Sequence, residues 1–460
     1  MGADRGRDRR LTSARSIAVE VLARVETGGS YSDLLLNARL AQTPDMGEQD
    51  RRLAKELVFG VLRRKTLLDY YLNQCGTIDW KRTDPSVAAA LRAGAYQILF
   101  LDKVPDFAAV KETVETIVKM FGAPKARFVN ALLRKLSSQK ARLEQPRLSK
   151  SPGRSELIRH LALVHSFPAL ILERWRDHHP SGDLKRLLEA LNEVPSKVVR
   201  VNVAKASLKR VRELLRQEGF ETTESEIAPH ALRLDGHGSP EGTQSWESGQ
   251  ITVQDESSQV IAHVVDGLQP KTILDAFAGI GQKLGHLAEL FPGSTVIGTD
   301  LHLRKANMAR AQMERLGLDN VRLLAADSNR SPFRQRQFDL VLVDAPCTGT
   351  GTIRHHPEIR YRVSTHQVRK MERLQRRLLE TAASLVAPNG HLIYSTCSLE
   401  EEENEDVVRF FLDRNSHFAL VDLTDLPKPL MPHRSQFGVR TRPHVHDCDG
   451  MFFSLMRRGV

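Results

Sequence analysis

The feature that most constrains this chain is a set of short apolar runs after residue 250, each ending in an acid or a small polar residue. Thr272–Asp275, Thr295–Asp300, Phe338–Asp344 and Gly390–Ser395 are such runs. They lack the strict apolar–polar alternation of a half-exposed strand, so both faces must be covered. Helical spacing at Leu303–Leu316, His366–Val386 and Glu402–Asp413 supplies the cover. An open, mainly parallel, doubly wound α/β sheet follows. In such sheets ligands bind beyond the carboxyl ends of the strands, which is where functional residues are to be sought.

The 460 residues are too many for one ordinary core. Residues 12–141 carry helical spacing throughout: Ile17, Val21, Leu22 and Val25 recur on one face, as do Leu53, Leu57, Val58, Val61 and Leu62. Ser30–Arg39, Ser86–Phe100, Phe107–Phe121 and Pro124–Leu136 are four further helical segments, with Pro124 suited to a first turn. Residues 142–156 are polar, hold Pro and Gly, and read as a linker. A helix from Ser155, a β-rich Val198–Val203 and a helix at Leu208–Gln217 then describe a small mixed segment. The expected division is an all-α bundle over 1–141, a small α/β connecting domain over 155–249 and a Rossmann-like α/β domain over 250–460.

Net charge is +11 and unevenly placed. Residues 1–150 hold 27 Lys and Arg against 17 Asp and Glu, whereas the rest of the chain holds 40 against 39. A basic module beside a nearly neutral one suits a nucleic-acid-binding domain attached to a catalytic one. Four Cys without a C-x-x-C pair exclude a disulfide scaffold and suit a reducing compartment. The start of the chain, with Arg9, Arg10, Arg15 and Glu20, lacks an apolar signal core. Thr381–Leu399, the longest stretch free of formal charge, contains Pro388, Asn389, Gly390 and His391 and is not a membrane span. The expectation is a cytoplasmic monomer with no membrane partner.

The turn after the first strand reads Ala276-Phe277-Ala278-Gly279-Ile280-Gly281. Small residues there let a ligand approach the backbone. Asp300 ends the next strand, where a carboxylate can bind ribose hydroxyls. Asp327 follows the Val321–Leu324 segment and suits an adenine amine or a loop contact. These residues alone leave S-adenosylmethionine, a nicotinamide cofactor and no cofactor all open, since either acid also suits a helix cap.

Two cysteines end strands on the same sheet edge. Asp344-Ala345-Pro346-Cys347 is followed by Gly349-Thr350-Gly351, and Ser395-Thr396-Cys397-Ser398 follows another strand. A buried Cys is ordinarily an inert small hydrophobe, but two at matching strand ends, one beside an Asp, suit catalysis. Cytosine C5 is a poor nucleophile. A thiolate adding at C6 turns the ring into an enamine, after which C5 can take a methyl group and its proton must leave. A free thiol has a pKa of about 8.5, so the thiolate needs a nearby cation, for which Lys283 or a bound sulfonium is suited. Asp344 can bond the N3 or N4 edge of the base; to donate to N3 it must carry a proton. This chemistry alone does not choose between Cys347 and Cys397.

At these positions the sequence resembles a known family along almost its whole length. Residues 344–360, Asp-Ala-Pro-Cys-Thr-Gly-Thr-Gly-Thr-Ile-Arg-His-His-Pro-Glu-Ile-Arg, resemble the signature of the RNA cytosine-5 methyltransferases. Tyr394–Ser398, followed by Glu400–Asn404, resembles their nucleophile motif. Val253–Gln259 resembles the opening of their catalytic domain, and Asp449–Phe453 its closing strand. Tyr31–Asn37, Asp50–Ala54 and Phe128–Arg134 resemble the NusB-type RNA-binding fold. The fusion resembles the RsmB or Sun family of bacterial small-subunit ribosomal RNA methyltransferases.

The resemblance implies a class I methyltransferase domain that moves a methyl group from S-adenosylmethionine to C5 of a cytidine in RNA. It implies Cys397 as nucleophile, Cys347 as the residue that aids proton removal and product release, and Asp344 at the cytosine edge. Lys283 would lie near cofactor and base, with Asp300 and Asp327 as cofactor-binding acids. The family loop Cys-Ala-Ala-Pro-Gly-Gly-Lys is replaced here by Phe277-Ala278-Gly279-Ile280-Gly281-Gln282-Lys283, a Gly-x-Gly turn that still suits a cofactor. Two other classes stay open: a non-catalytic RNA-binding or assembly protein with a degenerate cofactor loop, and an exocyclic-amine methyltransferase, because Asp-Ala-Pro-Cys is loosely similar to the Asp/Asn-Pro-Pro-aromatic motif.

Other motifs read as structural. The ligands in His444-Val445-His446-Asp447-Cys448 are too close together for a closed tetrahedral site, and no metal is expected. His355 and His356 suit a substrate contact or a loop staple. Glu400–Glu403 suits a helix N-terminus. Trp175 and Trp246 read as core.

Overall fold

The computed structural model describes residues 13–178, 181–236 and 238–460, so the arginines at 9 and 10 lie outside the described residues. The chain divides into two compact units. One holds residues up to Asn192 together with His356–Arg362, and the other holds Glu193–His355 and Val363–Val460.

The first unit is helical. Ala14–Gly28, Ser32–Ala41, Glu48–Cys75, Pro85–Phe100, Asp106–Phe121 and Ala123–Gln139 form a bundle, and Arg154–His165, Ala169–His178 and Ser181–Ala190 follow. Of the apolar positions read from the spacing, Ile17, Val21, Leu22, Val25, Leu57, Val58, Val61 and Leu62 are buried and Leu53 is half-buried; Leu91, Val129 and Leu133 join them in the core. Local chemistry sets the starts. Ser13 accepts from Ser16 N, Asp84 accepts from Ser86 N before a helix that opens on Pro85, and Pro124 lies in a first turn.

Seven residues, His356–Arg362, from the end of the signature segment and just beyond it, complete this unit. Tyr31 gives the helix Ser32–Ala41 no side-chain cap. Glu358 supplies one: its carboxylate accepts from Ser32 N and from Ser32 Oγ, each at 2.8 Å. The fully buried Arg360 stacks 4.0 Å from the Phe167 ring centroid and donates to Asn192 Oδ1 at 2.7 Å, Leu191 O at 3.2 Å and His165 O at 3.3 Å. Tyr361 donates to Leu62 O and Ser166 O, and Arg362 to Gly29 O and Ser30 O.

The second unit begins with a small antiparallel sheet of β1 Lys197–Val201, β2 Phe220–Glu224, β3 Ala231–Gly236 and β4 Ile251–Val253, in the order β2-β3-β1-β4. Val199, Val201, Phe220 and Leu232 pack with Val211 and Leu215 of the helix Leu208–Gln217.

The large sheet contains β5 Thr272–Asp275, β6 Thr295–Asp300, β7 Val321–Ala325, β8 Phe338–Asp344, β9 Val386–Thr396, β10 Phe418–Leu420, β11 Arg434–Ser435, β12 Gly438–Arg440 and β13 Phe452–Arg458. Its order is β11-β12-β13-β9-β8-β5-β6-β7, with β10 on β13. Strands β5 to β9 are mutually parallel, and β13 joins β9 antiparallel. The parallel expectation thus holds for the central strands, and an antiparallel edge extends them. The two faces are covered by the helices Gln282–Leu290, Leu303–Leu316, Thr365–Ala383 and Glu405–Arg414. The strand order reverses between β5 and β8, which opens a crevice at their carboxyl ends.

Two of the boundaries that differ from the sequence reading bear on the site. β9 starts at Val386, not Gly390, because Val386 pairs with Phe338 and the register then shifts through a turn with Asn389 at φ 64°. The helix expected from Glu402 starts at Glu405; a short 3-10 turn over Glu401–Glu403 precedes it and carries the Glu403 side chain inward. Among the described residues no helix is long and apolar enough to cross a membrane.

Candidate active site

The carboxyl ends of β5, β6, β8 and β9 present Asp275, Asp300, Asp344 and Thr396-Cys397 to one edge. Between β5 and the helix Gln282–Leu290, the expected cofactor loop is a tight turn. Gly279 and Gly281 have φ of 57° and 89°, the left-handed region that glycine adopts without steric cost. A Cβ on Gly281 would also lie 3.0 Å from Met313 Cε and 3.1 Å from Ala309 Cβ. Loop and neighbouring strands are tied together: Ala278 N donates to Thr299 O, and both Thr299 Oγ1 and Ser328 Oγ donate to Ala276 O. Ile280 is exposed at the tip.

The turn fits a cofactor with an anionic end. The helix Gln282–Leu290 opens directly from Gly281 with no side-chain cap, which leaves its first N–H groups without an N-cap acceptor and suits an anionic group. Asp300 accepts from His302 N at 2.8 Å and lies 3.4 Å from Lys305 Nζ, which sets its carboxylate at the end of β6. Asp327 is exposed after β7, and its carbonyl accepts from Arg330 N.

The reactive residues lie at the ends of β8 and β9. Lys283 Nζ is 2.7 Å from Asp344 Oδ2, and Ser395 Oγ donates to Asp344 Oδ1 at 2.8 Å. Asp344 thus accepts on both oxygens. Burial opposes the charge on Lys283, but Asp344, with smaller contributions from Cys397 and Asp275, outweighs it and raises its pKa. Cys347 Sγ and Cys397 Sγ are in contact at 3.1 Å, and both residues are half-buried. The Cys347 thiol is pushed well up, first by its hydrogen bond with Cys397, then by burial and by the Cys397 and Glu403 charges. Cys347, Cys397, Asp344 and Lys283 are therefore brought together, beside the turn 277–283.

Two acids here were not singled out from the sequence. Asp275, 1% exposed, accepts from Phe277 N, and its carboxyl is pushed up to about 7 by burial and then by Asp344. It carries the same strand-end signal as Asp300 and Asp344. Glu403 was read as part of a helix N-terminus, yet it is fully buried and accepts from Thr348 N at 2.9 Å, Ser398 Oγ at 2.8 Å and Gln375 Nε2 at 2.8 Å, and also from Thr348 Oγ1. Gly351 is a point of close approach: its N–H donates to Cys397 O at 2.9 Å, and a Cβ there would overlap Gly450 O at 1.8 Å.

The remaining motifs take structural places. His356 lies edge-on to Tyr31 and 3.5 Å from Asp33 Oδ1, and His355 lies 3.6 Å from Asp449 Oδ1. His446 accepts from Arg442 N through Nδ1, while Asp447 pairs with Arg233 and Arg354. Trp175 is core beside Phe167; Trp246 is half-buried under Arg315.

Comparison with known proteins gives matches along most of the chain. Residues 262–457 match the family described as 16S rRNA methyltransferase RsmB/F, residues 12–138 the NusB family, and residues 167–240 an RsmF/B-like ferredoxin-like domain. A probable ribosomal RNA small subunit methyltransferase B of Bacillus subtilis (strain 168) is 32% identical, covering 97% of this chain and 99% of that protein. A ribosomal RNA small subunit methyltransferase B of Salmonella paratyphi A is 28% identical over 97% and 99%. The crystal structure of PH0851 is similar with a TM-score of 0.82 and 26% identity, over 97% of this chain and 98% of that one. NSun6 from Pyrococcus horikoshii, solved with SFG, shares the fold at 20% identity and a TM-score of 0.57, over 64% of this chain and 98% of that one.

Proposed function

The chain belongs to the ribosomal RNA small subunit methyltransferase B (RsmB/F) family of S-adenosylmethionine-dependent rRNA methyltransferases, and on that premise we propose that it methylates C5 of a cytidine in small-subunit ribosomal RNA through a covalent bond from Cys397. The observation that supports this is the contact of two half-buried thiols, 3.1 Å apart, beside the Lys283–Asp344 pair at the carboxyl edge of the sheet.

S-adenosylmethionine, when bound, supplies an electrophilic methyl group. The Gly279–Gly281 turn and the N–H groups that follow it suit its amino-acid end, and Asp300 and Asp327 suit its nucleoside end. Cys397 adds to C6 of the ring, which makes C5 nucleophilic. Asp344 holds the cytosine edge, and Lys283, anchored on Asp344, sets positive charge beside the developing negative charge. The C5 proton then passes to water, a step that Cys347 aids; its electron pair re-forms the C5–C6 double bond, and the C6–sulfur bond breaks with its pair returning to Cys397 as the thiolate. An exocyclic-amine reaction needs neither thiol.

In this reading, residues 1–141 capture RNA, 155–249 connect and 250–460 catalyse, in a cytoplasmic monomer with no resident metal. The target base must be unpaired or extruded. The test is RNA carrying 5-fluorocytidine, which cannot release the C5 substituent as a proton. A denaturant-stable adduct mapped to Cys397 is the expected result; turnover without an adduct would favour amine methylation. Calorimetry with S-adenosylmethionine gives heat if the loop is competent, and no heat would favour an assembly role.

A further inference from the structure

Glu403 is a buried carboxylate that the reaction above does not use. Its partners are the residues that follow the two cysteines. Thr348, next to Cys347, donates through both its N–H and its hydroxyl, and Ser398, next to Cys397, donates through its hydroxyl. Gln375 of the helix Thr365–Ala383 donates a fourth bond and a further one to Pro346 O at 2.9 Å, just before Cys347. Burial pushes the Glu403 carboxyl up, and the four converging donors work against that and favour its anion. The Glu403 carbonyl accepts from Tyr394 Oη at 2.6 Å, and Asn404 accepts from Thr396 Oγ1 and donates to Ser398 O, so the turn carrying this acid is itself fixed.

We propose that Glu403 is a positioning residue that clamps the two cysteine loops and, through its negative charge on the Cys347 side, holds Cys347 as the thiol while Cys397 attacks. This rests on the reading that Cys397 attacks. The charged and titratable groups facing Cys347 are Cys397 from the end of β9, Glu403 from the 3-10 turn and Tyr394 from within β9; the Gly349 N–H pulls the other way. Cys397 faces Lys283, itself paired with Asp344, and the Asp449 carboxyl, which burial pushes well up and so toward its neutral form. The charges around the two sulfurs are thus asymmetric: an anion on the Cys347 side, a cation near Cys397.

The test measures the proton affinity of Cys347 directly. In full-length C397S, alkylation by iodoacetamide is followed against pH, with the modified residue identified by mass spectrometry. The expected midpoint lies above the ordinary thiol range. In C397S/E403Q it should fall by on the order of one pH unit, about ten-fold faster alkylation below the midpoint. An unchanged midpoint in a protein that melts as C397S does would overturn the proposal. Should E403Q not fold, C397S/Q375K, which sets an ammonium against the same carboxylate, must lower the midpoint; an unchanged value there overturns it equally. The fluorocytidine experiment fails separately: an adduct on Cys347 would sink the assignment of the nucleophile while leaving these midpoints as measured.

Discussion

Cys347→Ala and Cys397→Ala separate two sulfurs that lie in contact. C397A is expected to lose both turnover and the RNA adduct. C347A should still attack but not release, so a covalent protein–RNA species should accumulate on a denaturing gel; the reverse pattern would exchange the two roles. A second residue, Asp275, makes stability depend on pH. Its folded pKa of about 7 stands above the ordinary 3.8, so the folded state holds a proton that the unfolded chain has released. Its contribution is fully present below pH 4 and is lost as pH rises through 7. D275N should flatten that decline, by on the order of 2–4 kcal/mol across the interval, in urea titrations at several pH values. At this scale the sequence is informative where a residue ends an apolar run, which is how Asp300, Asp344, Cys347 and Cys397 are placed at strand ends. Asp275 bears the same mark, at the end of β5. Glu403 bore none, because its burial depends on partners at 348, 375 and 398 that no local spacing brings together.

Elements with a continuous apolar run or a clean helical face were legible nearly to the residue. β6 and β8, and the helices Leu208–Gln217 and Leu303–Leu316, coincide with their sequence ranges. β2 did not stand out, since Phe220 is the only fully buried residue of its five, and β11 and β12 are two and three residues long. The cofactor turn gives an element-scale prediction. G279A adds only the penalty of a left-handed conformation, about 1–2 kcal/mol, because no neighbour lies closer than 3.9 Å to its Cβ. G281A adds contact with Met313 and Ala309 to the same penalty. Cofactor affinity by calorimetry should therefore fall about ten-fold for G279A and further for G281A; equal affinities would mean that the turn does not hold the cofactor.

For the molecule as a whole, the charge excess in residues 1–150 predicts that RNA affinity falls steeply with salt, as a negative slope of log affinity against log salt in filter binding. A flat slope would remove the helical region from RNA capture. No local pattern marks the signature segment as part of the helical unit, because Glu358 and Ser32 are 326 residues apart. Arg360 should anchor that contribution. R360A leaves carbonyl acceptors without donors and is expected to destabilise the helical unit by on the order of 2–3 kcal/mol, read as earlier amide exchange in residues 160–192. The chain thus leaves one body, lends seven residues to another, and returns. No single cut yields both bodies whole: a break after Asn192 strips the helices of a stitch sewn from far downstream, and a synthetic strip spanning 355–363, added in solution, is what would restore it.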